Sequence, residues 1–161
     1  AYAVELCMRA YAEKFGENAD YWGNVGLLHD FDYEKYPTAE DHPIKGAEIL
    51  RSLGFEENFV NAILSHCERT GVVRDNNISK VLFACDELSG FITAVALVRP
   101  SKKLEEVEVK SVRKKMKDKA FAKQVSRDDI INGALGLGVD LDEHISFCIN
   151  AMLKGSNLLE L

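Results

Sequence analysis

Little in this chain would break a helix, for it holds only three prolines among 161 residues. No segment sustains the apolar–polar alternation of a half-buried strand, and there is no internal repeat or low-complexity stretch. No apolar run approaches the roughly 20 residues needed to span a bilayer. The beginning of the chain also lacks the basic and apolar regions of a secretory signal, so a cytoplasmic protein is expected. Four cysteines, Cys7, Cys67, Cys85 and Cys148, occur without any C-x-x-C spacing. A zinc-ribbon or thioredoxin-type site is therefore unsupported, and the expectation is of small buried hydrophobes. Cys67 and Cys85 do each adjoin a candidate ligand, which leaves oxidation or adventitious metal binding open. A Walker loop, a G-x-G-x-x-G turn and a G-x-S-x-G elbow are all missing, which leaves those phosphate-cradling and nucleophilic chemistries without support.

What is present is an ordinary soluble helical composition, 47% apolar and 29% charged. Its length predicts one domain over residues 1–161, with a metal-binding core over about 1–98 and a basic extension over about 99–161. Val4, Met8, Tyr11 and Phe15 form the stripe of a first helix closed by Gly16. Ala1 offers no initiator Met, cap or first-turn acid, so this helix is expected to begin upstream of the chain as given. A second helix, capped by Asp20, carries Trp22, Val25, Gly26 and His29 on one face, and a loop follows from Phe31 to Thr38. Asp41 is the expected cap of a third, with His42, Gly46, Ile49, Leu50 and Leu53 in one stripe and Pro43 in its first turn. The fourth, from about Glu56 to Glu68, aligns Phe59, Ile63 and His66. A long helix from about Ser79 to Val98 follows, with the stripe Leu82, Cys85, Leu88, Ile92 and Val95 and with Asp86 beside it. Shorter helical pieces between Leu104 and Val125 precede two final helices, opened by the capping pairs Ser126/Asp129 and Asp140/Glu143. The fold class expected is all-α, a compact irregular multi-helix bundle.

The net charge of −6 argues against general nucleic-acid binding. It conceals a basic stretch, because Arg99 to Arg127 carries +7 and the remainder −13. Such a stretch suits an anionic substrate or partner, although a solvated helical face would look the same.

His29 and Asp30 close an apolar run and are followed by His42, His66 and Asp86. One His on an inner helix face is usually a core residue bonded to backbone. Five titratable groups at helix ends or beside apolar stripes are harder to explain that way, because an unpaired buried charge costs several kcal/mol. Mixed imidazole and carboxylate donors suit Mn, Fe, Co or Zn, and Asp30 can bridge two such ions. One ion would take His42 and His66, the other His29 and Asp86. A hydroxide generated on such a pair attacks a phosphoryl group in line, so metal-assisted hydrolysis is the chemistry expected.

The order His29-Asp30, then His42-Pro43-Ile44-Lys45-Gly46-Ala47-Glu48-Ile49-Leu50, then Ile63-Leu64-Ser65-His66, then Asp86 resembles the HD-domain superfamily of metal-dependent phosphohydrolases. It is most similar to the small bacterial members of HDIG type, and the resemblance covers about the first hundred residues. It implies an all-helical fold, one or two divalent metal ions (Mn, Fe, Co, Zn or Mg), and Asp30 and His29 at the catalytic centre. It implies a small phosphorylated substrate, with a nucleotide the first expectation. The family's leading His is expected at or just before Ala1. The subgroup's Ile-Gly-Lys after His-Asp is replaced by Phe31, Asp32 and Tyr33, which removes a Lys that could contact phosphate. Asp32 could orient a ligand, shuttle a proton or cap the loop. Arg69, Arg99, Lys102, Lys110 and Lys114 are the candidate phosphate contacts, and His144 lies outside the pattern. The alternative is a non-catalytic HD module that binds a nucleotide or partner protein as a sensor or scaffold.

Overall fold

Every regular element in the computed structural model, which describes residues 1–161, is helical. Helix α1 (Tyr2–Phe15) and α2 (Ala19–Leu28) form an antiparallel pair joined by Gly16, whose left-handed φ of 72° ends α1. Gly26 lets them approach closely, since a Cβ there would meet the Glu5 backbone at 3.2 Å. The cap of α2 is Asn18, whose side chain accepts from the Tyr21 N–H at 3.0 Å. Asp20, the cap expected from sequence, instead pairs with Arg9 at 2.7 Å.

Helices α3 (Ile44–Ser52) and α4 (Glu57–Leu64) are shorter than their apolar stripes suggest. His42 precedes α3 in a turn whose N–H reaches the Thr38 carbonyl at 3.0 Å, and Leu53 lies 68% exposed beyond the helix. The Asp41 side chain accepts from Thr38 Oγ1 at 2.9 Å and does not cap α3. Past α4, His66 belongs to the turn before a 3-10 segment, Glu68–Thr70. Past α4 the periodic pattern runs on into the turn, because Ser65 keeps helix-like dihedrals and so the same side faces inward a little further.

Helix α5 (Asn77–Leu97), capped by Asn76, is the axis of the molecule and packs against α1, α2, α4, α6 (Val109–Met116), α7 (Arg127–Leu137) and α8 (Leu141–Leu153). The expected stripe Leu82, Cys85, Leu88, Ile92 and Val95 is buried, and so are Val81, Ala84 and Phe91 on other faces. A helix enclosed on most sides reads as apolar nearly all round, which explains its weak amphipathic signal. Gly133 of α7 lies against Ala84 so closely that a Cβ would sit 2.6 Å from the Ala84 Cα. Ser126 and Asp140 cap α7 and α8, and the Ser126 N–H is accepted by Glu87 at 3.2 Å, not by Asp129. A one-turn helix, α9 (Ser156–Leu159), ends the chain's regular structure.

Cys7, Cys85 and Cys148 meet, fully buried, where α1, α5 and α8 touch. His144 is buried beside them with both nitrogens satisfied. Its Nε2–H donates to the Ala84 carbonyl at 2.9 Å, so Nδ1 accepts from the Tyr11 hydroxyl at 2.6 Å. Burial holds this imidazole below its ordinary pKa, and it is a neutral core residue. One continuous apolar cluster runs from Val4 and Met8 through α5 to Ile145 and Met152. No helix is long and apolar enough to cross a membrane.

Candidate metal centre

Two of the three histidines sit just past the C-terminal end of a helix, where backbone carbonyls lack intrahelical partners. His29 follows α2 and donates from Nδ1 to the Gly26 carbonyl at 2.7 Å. His66 follows α4 and donates from Nδ1 to the Ile63 carbonyl at 2.5 Å. A carbonyl can only accept, so Nδ1 carries the proton in both rings. In the neutral form, each Nε2 is then a bare lone pair aimed inward.

Those lone pairs converge on Asp30, in the turn after His29. Asp30 Oδ1 lies 3.2 Å from His42 Nε2 and 3.4 Å from His66 Nε2, and Oδ2 lies 3.3 Å from His29 Nε2. Asp86, facing inward from α5, places Oδ1 3.2 Å from His29 Nε2. His42 Nε2 and His66 Nε2 are themselves 3.3 Å apart. Two groups thus form around one shared carboxylate, Asp30–His42–His66 and His29–Asp30–Asp86, each with its donor atoms within 4.8 Å of one another.

Neutral imidazole lone pairs and carboxylates so close repel one another unless positive charge lies among them. Protons can supply it. Burial alone would depress His29, but Asp86 and Asp30 outweigh it and raise the imidazole to about 10. His42 is also raised, by Asp30 and Asp32 against its burial. Asp30 is held well below the carboxylate range by hydrogen bonds from the three histidines, again against burial, and Asp86 is lowered mainly by His29. A divalent cation can supply the same charge, and the mixed N/O donor set fits a borderline ion such as Mn, Fe, Co or Zn.

The cluster floors a cavity of about 620 Å³. Tyr33, Phe83 and Val125 give it apolar wall, and Glu87, Asp129 and Glu68 make the rest acidic. Arg69 is the one Lys or Arg on its lining. The other basic candidates lie elsewhere, a correction to the sequence expectation. Arg99 donates to Ser111 Oγ at 2.8 Å and faces Glu106, and Lys110 pairs with Glu108 at 2.7 Å. Lys110 and Lys114 line a separate hollow on α6, and Lys102 is exposed in the turn after α5. Leu97, the last residue of α5, is eleven residues beyond Asp86, which at about 1.5 Å per helical residue puts the end of α5, and Arg99 after it, roughly 16 Å or more down the axis.

Glu87, Val125 and Asp129 were not among the sequence candidates. Glu87 directly follows Asp86, which is a weak signal. Ser126-x-x-Asp129 carried a legible signal of a helix start but none of proximity to the site.

The family model described as HD domain matches residues 1–90, more than half of the chain. No curated protein and no solved structure matches.

Proposed function

The chain belongs to the HD domain family, and from that premise we propose that it is a metal-dependent phosphohydrolase acting on a phosphate ester of a small molecule, with a nucleotide as the first substrate to test. The observation carrying this reading is the division of Asp30, one oxygen toward His42 and His66 and the other toward His29. In this assignment His42 and His66 would hold one cation, His29 and Asp86 would hold the other, and Asp30 would serve both. Bound divalent ions would activate water and neutralise charge on phosphoryl oxygens.

The remaining work falls to the chain. The Gly26 and Ile63 carbonyls fix two imidazoles so that their basic nitrogens need no reorganisation. Arg69 at the cavity wall supplies a guanidinium to a phosphate oxygen, and Tyr33, Phe83 and Val125 offer an apolar surface to the organic portion. No protein nucleophile is required.

Chelator-treated protein reloaded with Mn²⁺ should hydrolyse p-nitrophenyl phosphate or a nucleoside monophosphate. Asp30→Asn should lower both bound metal and turnover by more than the roughly 10–100-fold typical of losing an outer-shell partner. Wild-type turnover by Asp30→Asn, in protein that takes up no transition metal, overturns the reading. Tyr33, where the HDIG-like subgroup carries Lys, favours a second reading, binding without turnover. Its signature is thermal stabilisation by nucleotide with no product formed.

A further inference from the structure

His42 cannot be oriented as the other two histidines are. His29 and His66 follow helix C-termini, and each Nδ1–H uses the carbonyl three residues back, that of Gly26 or Ile63. His42 precedes α3, and the free backbone groups at a helix N-terminus are N–H donors, which an Nδ1–H cannot use. The acceptor comes from the loop instead. Asp32, 3% exposed, takes the His42 Nδ1–H on Oδ1 at 2.8 Å and the Gly46 N–H on Oδ2 at 2.8 Å.

The position of Gly46 makes room for this carboxylate. A Cβ there would lie 2.7 Å from Asp32 Cγ and 2.8 Å from Oδ2. The carboxylate also faces the first turn of α3, where the helix dipole favours negative charge. This buried carboxylate has one donor on each oxygen, and an amide cannot reproduce that, because one of its two ends is itself a donor.

We infer that Asp32 and Gly46 form a positioning pair that presents His42 Nε2 to the group Asp30–His42–His66. Asp32 is thus a positioning residue for one half of the centre, while the group His29–Asp30–Asp86 does not depend on it. This inference rests on the metal-binding reading above, and it adds that the two halves respond differently to changes 10 residues from His42 in sequence.

The test is Co²⁺ titration of wild type, Asp32→Asn, Gly46→Ala and His42→Ala, followed by calorimetry and by the visible absorption of the bound ion. Imidazole ¹⁵N shifts of the chelator-treated proteins are recorded alongside. Asp32→Asn and Gly46→Ala are expected to weaken one equivalent by about 10–100-fold and leave the other within about threefold. That is the equivalent His42→Ala abolishes. The His42 shifts should move away from the Nδ1–H form in both variants, while those of His29 and His66 stay in place. Gly46→Ala keeps every polar group, and the atoms it displaces belong to a side chain, so it acts on the carboxylate and spares the fold. Wild-type affinity at both equivalents with unchanged His42 shifts in both variants overturns the inference and leaves the metal reading standing. A wild type that takes up no Co²⁺ overturns the metal reading and this inference with it.

Discussion

On the proposed assignment a proton and a cation would compete for the same place beside His29, and their competition has a definite sign. The imidazole is raised to about 10 by Asp86 and Asp30 against its burial, whereas an unfolded His titrates near 6.5. Below about pH 6.5 it is charged in both states, and its native ion pairs contribute in full. As pH rises from there through about 10, the native form loses its proton and that contribution disappears. The melting temperature of chelator-treated protein should therefore fall between pH 7 and pH 10, and His29→Gln should start lower at pH 7 and change less. Stabilisation by added Mn²⁺ should grow over the same interval, because the ion requires the deprotonated ring. A flat melting profile for the chelated wild type would contradict this account of His29.

At the scale of elements, the wall of the cavity depends on how closely α7 approaches α5. Gly133 faces the Ala84 backbone, which cannot yield as a side chain could. Gly133→Ala should cost about 1–3 kcal/mol, the usual range for overpacking, and should raise KM by shifting the stretch that carries Val125 and Asp129. Gly136 on the same helix has nothing within 4 Å of a built Cβ. Gly136→Ala should stabilise by about 0.5–1 kcal/mol through reduced chain entropy. Urea midpoints of the two variants moving in the same direction would refute this view of the α5–α7 contact.

At the scale of the molecule, the candidate metal centre lies within residues 1–90 while the core that supports it continues well beyond them. Ile145, Cys148 and Met152 of α8 are fully buried against the helices of the N-terminal half, as are Leu104 and Val112. Each such aliphatic side chain contributes about 1.5–3 kcal/mol by burial. We therefore expect a fragment ending at Val98 to lose cooperative melting by circular dichroism and to bind no Mn²⁺. A fragment with a sharp transition would show instead that residues 99–161 are a separate appendage.

Helical identity, the caps Ser126 and Asp140, the buried stripe of α5 and the candidate donors were readable in the linear chain. Each depends on spacings of three or four residues, and helix geometry converts such spacings into faces. The division of Asp30 between two groups was also expected, from ligand chemistry, but which histidine Asp32 serves and the distance of Arg99, Lys102, Lys110 and Lys114 from the cavity were not readable. They depend on where helices cross and how turns re-aim the chain. His42 carries the contrast: its inward face was visible in the periodicity, but its place ahead of α3, and hence its need for a carboxylate acceptor, came only with the packed chain.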